Sequence, residues 1–177
     1  MSKKNIQIGV MGSASDLGYK KELETLAEEL GKEVAVSGAV LVFGAEKDYD
    51  SLSTAASRGA KKAGGLTVGI TYGKGLNIYE DADVVIATGL ERGGGREFSL
   101  VLSCDGIITI NGGSGTLNEM LVAYQAGIPI VSIKNSGGWS SEMADKFFDA
   151  RKRVKVESAN NAKEAVSKIL KLINKKN

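Results

Sequence analysis

The sequence has no histidine, one cysteine (Cys104), one proline (Pro129) and one tryptophan (Trp139). Without histidine there is no Ser-His-Asp or Cys-His catalysis, no histidine metal site and no imidazole acid–base chemistry. Any catalysis must rest on carboxylates, Arg, Lys, Tyr, hydroxyls or backbone dipoles. A lone cysteine forbids an intrachain disulfide, and the apolar neighbours of Cys104 predict a small buried side chain. No apolar run approaches the ~20 residues that a membrane helix needs. The polar start Met1-Ser2-Lys3-Lys4-Asn5 shows no signal-peptide pattern. Neither a membrane span nor export is expected, and the expected compartment is the cytoplasm. Strong charge of one sign is missing too. A formal charge of +2 gives no argument for nucleic acid, and Arg151-Lys152-Arg153 and Lys175-Lys176 read as solvated surface. No side-chain cluster signals a metal.

Glycine is plentiful, with 23 residues among 177. The length suits one domain, residues 1–177, able to bury roughly 70% of its unfolded surface. The chain is organised around Asp105-Gly-Ile-Ile-Thr-Ile-Asn-Gly-Gly-Ser-Gly-Thr-Leu-Asn-Glu119. Gly106–Ile110 reads as a buried strand and Asn111–Gly115 as a glycine-rich turn. A helix follows from Thr116, with Leu117, Met120, Leu121 and Tyr124 three or four apart. Strand, glycine loop and helix start together present unpaired N–H groups and a positive dipole end to an anion. Glycine there lets the backbone approach a phosphate closely. The competing reading is structural: a tight turn, followed by a Thr116-x-x-Glu119 capping box.

Taken in order, the pattern predicts strands at 6–11, 40–43, 66–70, 84–87, 106–110, 130–133 and 154–156. Helices are expected at 17–36 (capped by Ser15 or Asp16), 51–63, 96–103, 116–126, 141–151 and 161–173. Between 71 and 83, and again at 91–95, glycine-bearing loops are expected. Strict alternation of strand and helix, with no repeat or linker, defines an α/β fold: a doubly wound, mostly parallel sheet in a Rossmann-like three-layer sandwich. Ligands of such sheets sit beyond the carboxyl ends of the strands, near the point where strand order reverses. Gly12–Asp16, Gly44–Asp50, Gly89–Arg96 and Asn111–Thr116 are the loops that reach it. None matches G-x-G-x-x-G or G-x-x-x-x-G-K-[ST], so a classical dehydrogenase or a Walker kinase is not expected.

Gly112-Gly-Ser-Gly-Thr-Leu-Asn-Glu119 with the upstream Arg96 resembles the signature of the LONELY GUY and "lysine decarboxylase-like" superfamily. Gly12-Ser13, Arg58-Gly59-Ala60, 63–70 and Thr88-Gly89-Leu90 extend the likeness, which is nearest to the branch of molybdenum-cofactor carrier proteins. The resemblance implies a Rossmann-like fold, a homodimer or homotetramer, and a site for a nucleoside monophosphate, a molybdopterin-type cofactor or a related phosphorylated small molecule. The ligand residues it implies, with the loops above, are Gly12, Ser13, Ala14, Gly44, Arg96, Gly112, Gly113, Ser114, Gly115, Thr116 and Glu119. The hydrolase branch would use Arg96 and Glu119 to cleave a base–ribose bond. Two departures favour binding over hydrolysis: the acidic stretch Gly44-Ala-Glu-Lys-Asp-Tyr-Asp50, and Gly94-Gly95-Arg96-Glu97 where that branch has an Arg-Lys pair. Three readings stay open: a carrier, a phosphoribohydrolase, and a scaffold with a vestigial site. Asp48 and Asp50 are expected to be solvated turn residues, Trp139 half-buried.

Overall fold

The structure, a computed structural model, describes residues 5–80, 82–91 and 95–176. Seven strands form one sheet in which every pair is parallel: β1 (Gln7–Gly12), β2 (Val40–Gly44), β3 (Thr67–Thr71), β4 (Val84–Ala87), β5 (Gly106–Ile110), β6 (Ile130–Ile133) and β7 (Val156–Ala159). The strand order is β4-β3-β2-β1-β5-β6-β7. The chain therefore winds outward from β1 to one edge, returns to β5, and winds to the other. β1 and β5 are neighbours at the reversal, in register Gly12↔Ile110. The loops leaving these two strands face each other there.

Helices cover both faces because both faces of the inner strands are apolar. Ile8, Val10, Leu41, Phe43, Ile108 and Ile110 point to one side. There they pack under α1 (Lys21–Val36), α2 (Leu52–Lys62) and α6 (Ala162–Lys176). Met11, Val42, Ile107 and Ile130 point to the other side, under α3 (Arg96–Leu102) and α4 (Ser114–Ala126). The short α5 (Gly138–Met143) lies beyond β6. Cys104 is buried, and Pro129 precedes β6, where its missing N–H costs no ladder bond. Gly31 within α1 has a packing reason: a Cβ there would collide with the Ala56 carbonyl of α2, and one on Gly59 with the Glu28 carbonyl. These two glycines bring the helices into backbone contact.

Several expected boundaries move. The first helix does not start at Leu17. Ser15–Leu17 is a separate 3-10 turn closed by Gly18 at φ 64°, and α1 starts at Lys21 with Lys20, not Ser15 or Asp16, at its N-cap. Leu17 is accordingly 59% exposed instead of in the core. The 141–151 helix is replaced by α5 and a series of turns, in which Asp145 and Lys152 take φ of 63° and 51°. Hydrogen bonds from Asp145 N to Val156 O and from Val156 N to Lys146 O fold this stretch back on β7, which starts at Val156. Asp50 is no solvated turn residue: it accepts from the backbone of Ser51, the hydroxyl of Thr54 and Arg58 Nη1 at 3.0 Å. Of the 91–95 loop, residues 92–94 lie outside the described residues, as does Asp81 of the 71–83 loop.

Candidate functional site

Four strand ends contribute to one cavity of about 210 Å³ at the reversal of strand order. Gly12, Ser13 and Ala14 come from the end of β1, Gly44 and Glu46 from β2, Tyr72 from β3, and Gly113–Thr116 from the start of α4. Arg96 and Glu97 enter from α3, and Glu119 from the second turn of α4. Every expected ligand residue except Gly112 lines this space. Gly112 stands behind it, its N–H donating to Ser13 Oγ at 2.9 Å and to Asn111 Oδ1 at 2.8 Å.

The glycine loop is held from outside the cavity. Asn111 takes φ 56°, a conformation asparagine tolerates better than most residues. Its Oδ1 accepts from Ser13 Oγ at 2.7 Å, and its Nδ2 donates to the Ser136 carbonyl at 2.6 Å. The ends of β1, β5 and β6 are thus tied together by one side chain. The carbonyls of Asn111 and Gly112 accept from the N–H groups of Ser140 and Trp139 at 2.9 and 3.0 Å. Those oxygens are committed to α5, which contributes nothing to the cavity wall. Helix α4 starts at Ser114, not at Thr116, and its N-cap is Gly113, which supplies no side-chain cap. The expected Thr116/Glu119 capping box is therefore not formed. Among the described residues no side chain caps the first N–H groups of α4 at the cavity, an arrangement suited to an anion.

The opposite wall is built on Arg96, whose side chain is only 4% exposed. Gly44 makes room for it, since a Cβ at that position would collide with Nη1. Nη2 donates to Tyr72 Oη at 2.7 Å and to Glu46 Oε1 at 3.3 Å, and Nη1 to the Ile70 carbonyl at 3.4 Å. The guanidinium carbon lies 4.2 Å from the centroid of the Tyr72 ring. Arg96 Nε lies 3.9 Å from Glu97 Oε1 and has no hydrogen-bond partner among the described residues. Burial works against the Arg96 charge, but Glu119, Tyr72 and Glu46 hold its pKa above the ordinary guanidinium value. Burial pushes Glu119 up to about 8; Arg96 opposes this, while Glu97 and Glu46 add to it. Burial likewise pushes the Tyr72 phenol up to about 12 against the pull of Arg96. Burial thus favours the protonated form of Glu119, while Glu46 and Glu97 lie beside the Arg96 guanidinium.

The sequence pattern does not reveal Tyr72, Glu46 or the structural part of Asn111. Tyr72 comes from a loop with no periodicity. Glu46 reads as one of three similar acidic residues. Asn111 alone left a signal, because Asn before Gly-Gly marks a left-handed turn. Trp139 is 39% exposed, so the half-buried place expected of it is not what the structure shows, and its indole contributes nothing to the cavity wall.

An all-parallel sheet with a glycine-rich loop at its reversal defines a Rossmann-like protein of the superfamily that the GGSGT motif suggests. The chain belongs to the SLOG cluster4 family, whose sequence model matches residues 5–166. An uncharacterised protein of Archaeoglobus fulgidus is 34% identical over 131 residues, 74% of this chain and 82% of the relative. The molybdenum cofactor carrier protein of Chlamydomonas reinhardtii superposes with a TM-score of 0.81 at 29% identity, covering 97% of this chain and 99% of that one. The molybdenum cofactor binding protein of the phototrophic bacterium Rippkaea orientalis gives 0.79 at 30% identity with the same coverage. These neighbours support a cofactor-binding or carrier role at the level of the family. Among the described residues no helix is long and apolar enough to cross a membrane.

Proposed function

We propose that this protein binds and carries a phosphorylated, nucleotide-like cofactor of the molybdopterin type, with the phosphate seated on the N-terminus of α4. The observation that carries this reading is the uncapped start of α4, opening with Gly113 into the cavity. Ser114, Gly115 and Thr116 would donate backbone N–H groups to the phosphate, with Gly12–Ala14 closing over it. Arg96 does not act as the phosphate clamp in this reading, because Glu46 and Tyr72 already occupy Nη2. The cofactor is cargo here, and the chain's own residues orient it and exclude water.

The phosphoribohydrolase reading is less well supported by the same geometry. Cleavage of a base–ribose bond needs a carboxylate that steadies a developing cation and orients water. Burial raises the Glu119 carboxyl to about 8 and so disfavours the charge such a step would use. Exposed Phe98 and Leu102 on α3 and Leu121 on α4 are 53%, 58% and 38% accessible, and support the association of copies into a homodimer or homotetramer.

The test is to incubate the purified protein with a panel of nucleoside 5′-monophosphates and with molybdopterin, measuring bound ligand by equilibrium dialysis and free base by chromatography. Retention of molybdopterin without base release from any nucleotide is expected. Base release that disappears in Glu119→Gln would replace the carrier reading with the hydrolase. Retention of nothing would leave only the scaffold.

A further inference from the structure

We infer that Arg58 and Asp50 form a positioning pair that sets the Ser13–Ala14 wall of the cavity from outside it, and that the affinity of the site for an anion depends on this pair. The inference rests on the carrier reading above, which seats the anion at the start of α4, and adds the remote residues that hold the opposite side of that seat.

The sheet does not hold this wall, because β1 ends at Gly12. Residues 13–15 run alongside residues 50–52 instead. Leu52 N donates to the Ser13 carbonyl at 2.9 Å, Ser15 N donates to the Asp50 carbonyl at 3.0 Å, and Ala14 forms an antiparallel bridge with Ser51. Ser13 carries the constraint onward, since its Oγ donates to Asn111 Oδ1 and accepts from Gly112 N. Whatever fixes residues 50–52 therefore fixes one side of the cavity and, through Ser13, the glycine loop that faces it.

One carboxylate fixes that stretch. Asp50 Oδ1 accepts from Ser51 N at 2.7 Å and from the Thr54 hydroxyl, and Arg58 Nη1 donates to Oδ1 and Oδ2 at 3.0 and 3.1 Å. The start of α2 does not require this, because the reciprocal capping box of Ser51 and Thr54 already serves it. Arg58 is held in turn from two other elements: Nε lies 3.4 Å from Glu28 of α1, and Nη1 lies 3.4 Å from Glu80 in the stretch between β3 and β4. The side chains of Arg58 and Asp50 are 21% and 22% exposed, sheltered enough for their charges to count but outside the core. Burial pushes the Asp50 carboxyl up, yet Arg58, Thr54 and Ser51 together hold it below the usual carboxylate range. Neither residue lines the cavity, so both act through the backbone of 50–52 and 13–15.

The test is amide hydrogen exchange on Arg58→Met, together with a titration of wild type and variant with inorganic phosphate read from the NMR shifts of the Gly115 and Thr116 amides. Exchange at Ser15 N and Leu52 N should rise about tenfold, the loss of one charge-assisted hydrogen bond, while the amides of β5 keep their rates. Phosphate affinity should fall about threefold or more, because a wall no longer held must be ordered as the anion binds. Lys62→Met removes the other ion pair of Glu28, at 2.8 Å from the same helix, and should change neither quantity. Asp50→Asn should reproduce the effect of Arg58→Met, and serves in its place should that variant fail to fold. The double variant should be no weaker than either single one, since the two residues act as a unit. Exchange that rises uniformly across the sheet, additive losses, or unchanged phosphate affinity would each overturn the pair and leave the carrier reading standing. A wild-type protein that binds no phosphate would overturn the seat at α4, and this inference with it.

Discussion

Ser13 Oγ donates to Asn111 Oδ1 at 2.7 Å, joining the end of β1 to the end of β5 across the reversal of strand order. The same Oδ1 accepts from Gly112 N, and Nδ2 reaches over to the Ser136 carbonyl of the loop after β6. Asn111→Ala removes all three bonds and leaves a residue that disfavours φ 56°. At about 1 kcal/mol per bond, less what water restores, and about 1 kcal/mol for the backbone, the expected destabilisation is about 3 kcal/mol. Asn111→Gly relieves the backbone part and should cost about 1 kcal/mol less. Urea denaturation of both variants measures the difference, and equal costs would show that the left-handed conformation carries no strain. Both should weaken phosphate binding, because the loop keeps only the bond from Gly112 N to Ser13 Oγ and loses the one through Asn111 Oδ1.

The contact between Gly44 and Arg96 gives a second prediction. Nη1 occupies the space a Cβ on Gly44 would need, and the arginine has little free volume to move into at 4% exposure. Gly44→Ala should therefore pull the guanidinium off Glu46 and the Ile70 carbonyl. Overpacking of this kind costs about 1–3 kcal/mol. The diagnostic is that ligand affinity falls together with the melting temperature. A variant with native affinity would show that Arg96 relocates without consequence.

What could be read in advance follows from which residues carry periodic information. The inner strands are β-branched runs such as Gly106–Ile110, buried on both faces, and their sequence alone places them. So does Ser51 at the start of α2, which forms a reciprocal capping box with Thr54. The misplaced elements depend on long-range contacts. The 141–151 stretch looks helical, but Asp145 accepts from Ser158 Oγ at 2.8 Å and Tyr124 donates to Asp149, so tertiary bonds outweigh local propensity. Glu119 had two legible roles, cap or site residue. The backbone starts the helix at Ser114, which leaves the cap unformed, and the carboxyl lines the cavity with Arg96. Tyr72 left no trace in the pattern, because its role depends on where β3 ends in space.

The close crossing of α1 and α2 offers a test remote from the cavity. A Cβ on Gly31 would collide with the Ala56 carbonyl, and one on Gly59 with the Glu28 carbonyl; both obstacles are helix backbone that cannot swing aside. Gly→Ala in the middle of an exposed helix ordinarily stabilises by up to about 1 kcal/mol. Here Gly31→Ala should instead destabilise by about 3 kcal/mol or more, since the two helices must separate. Equilibrium denaturation decides the sign, and a stabilised variant would refute the backbone contact.

Glu119 makes stability fall with pH across a range where carboxylates usually have no effect. Its pKa moves from 4.5 to about 8 in the folded protein, chiefly through burial. Below about pH 4.5 the folded and unfolded chains both hold the proton, and nothing is lost. Between about 4.5 and 8 the unfolded chain releases the proton while the folded chain keeps it, so stability declines by at most about 1.4 kcal/mol per pH unit. The carboxylates held low in the fold, Asp50 and Asp83 among them, act in the opposite sense and only below their ordinary range. Glu119→Gln keeps the shape and removes the titration. It should leave stability at pH 4.5 nearly unchanged, flatten the decline toward pH 8, and make the variant the more stable protein there by a few kcal/mol at most. Urea denaturation at pH 5, 6.5 and 8 checks this. A wild-type protein equally stable at pH 5 and pH 8 would mean that Glu119 is ionised throughout, and would restore the charge that the hydrolase reading requires.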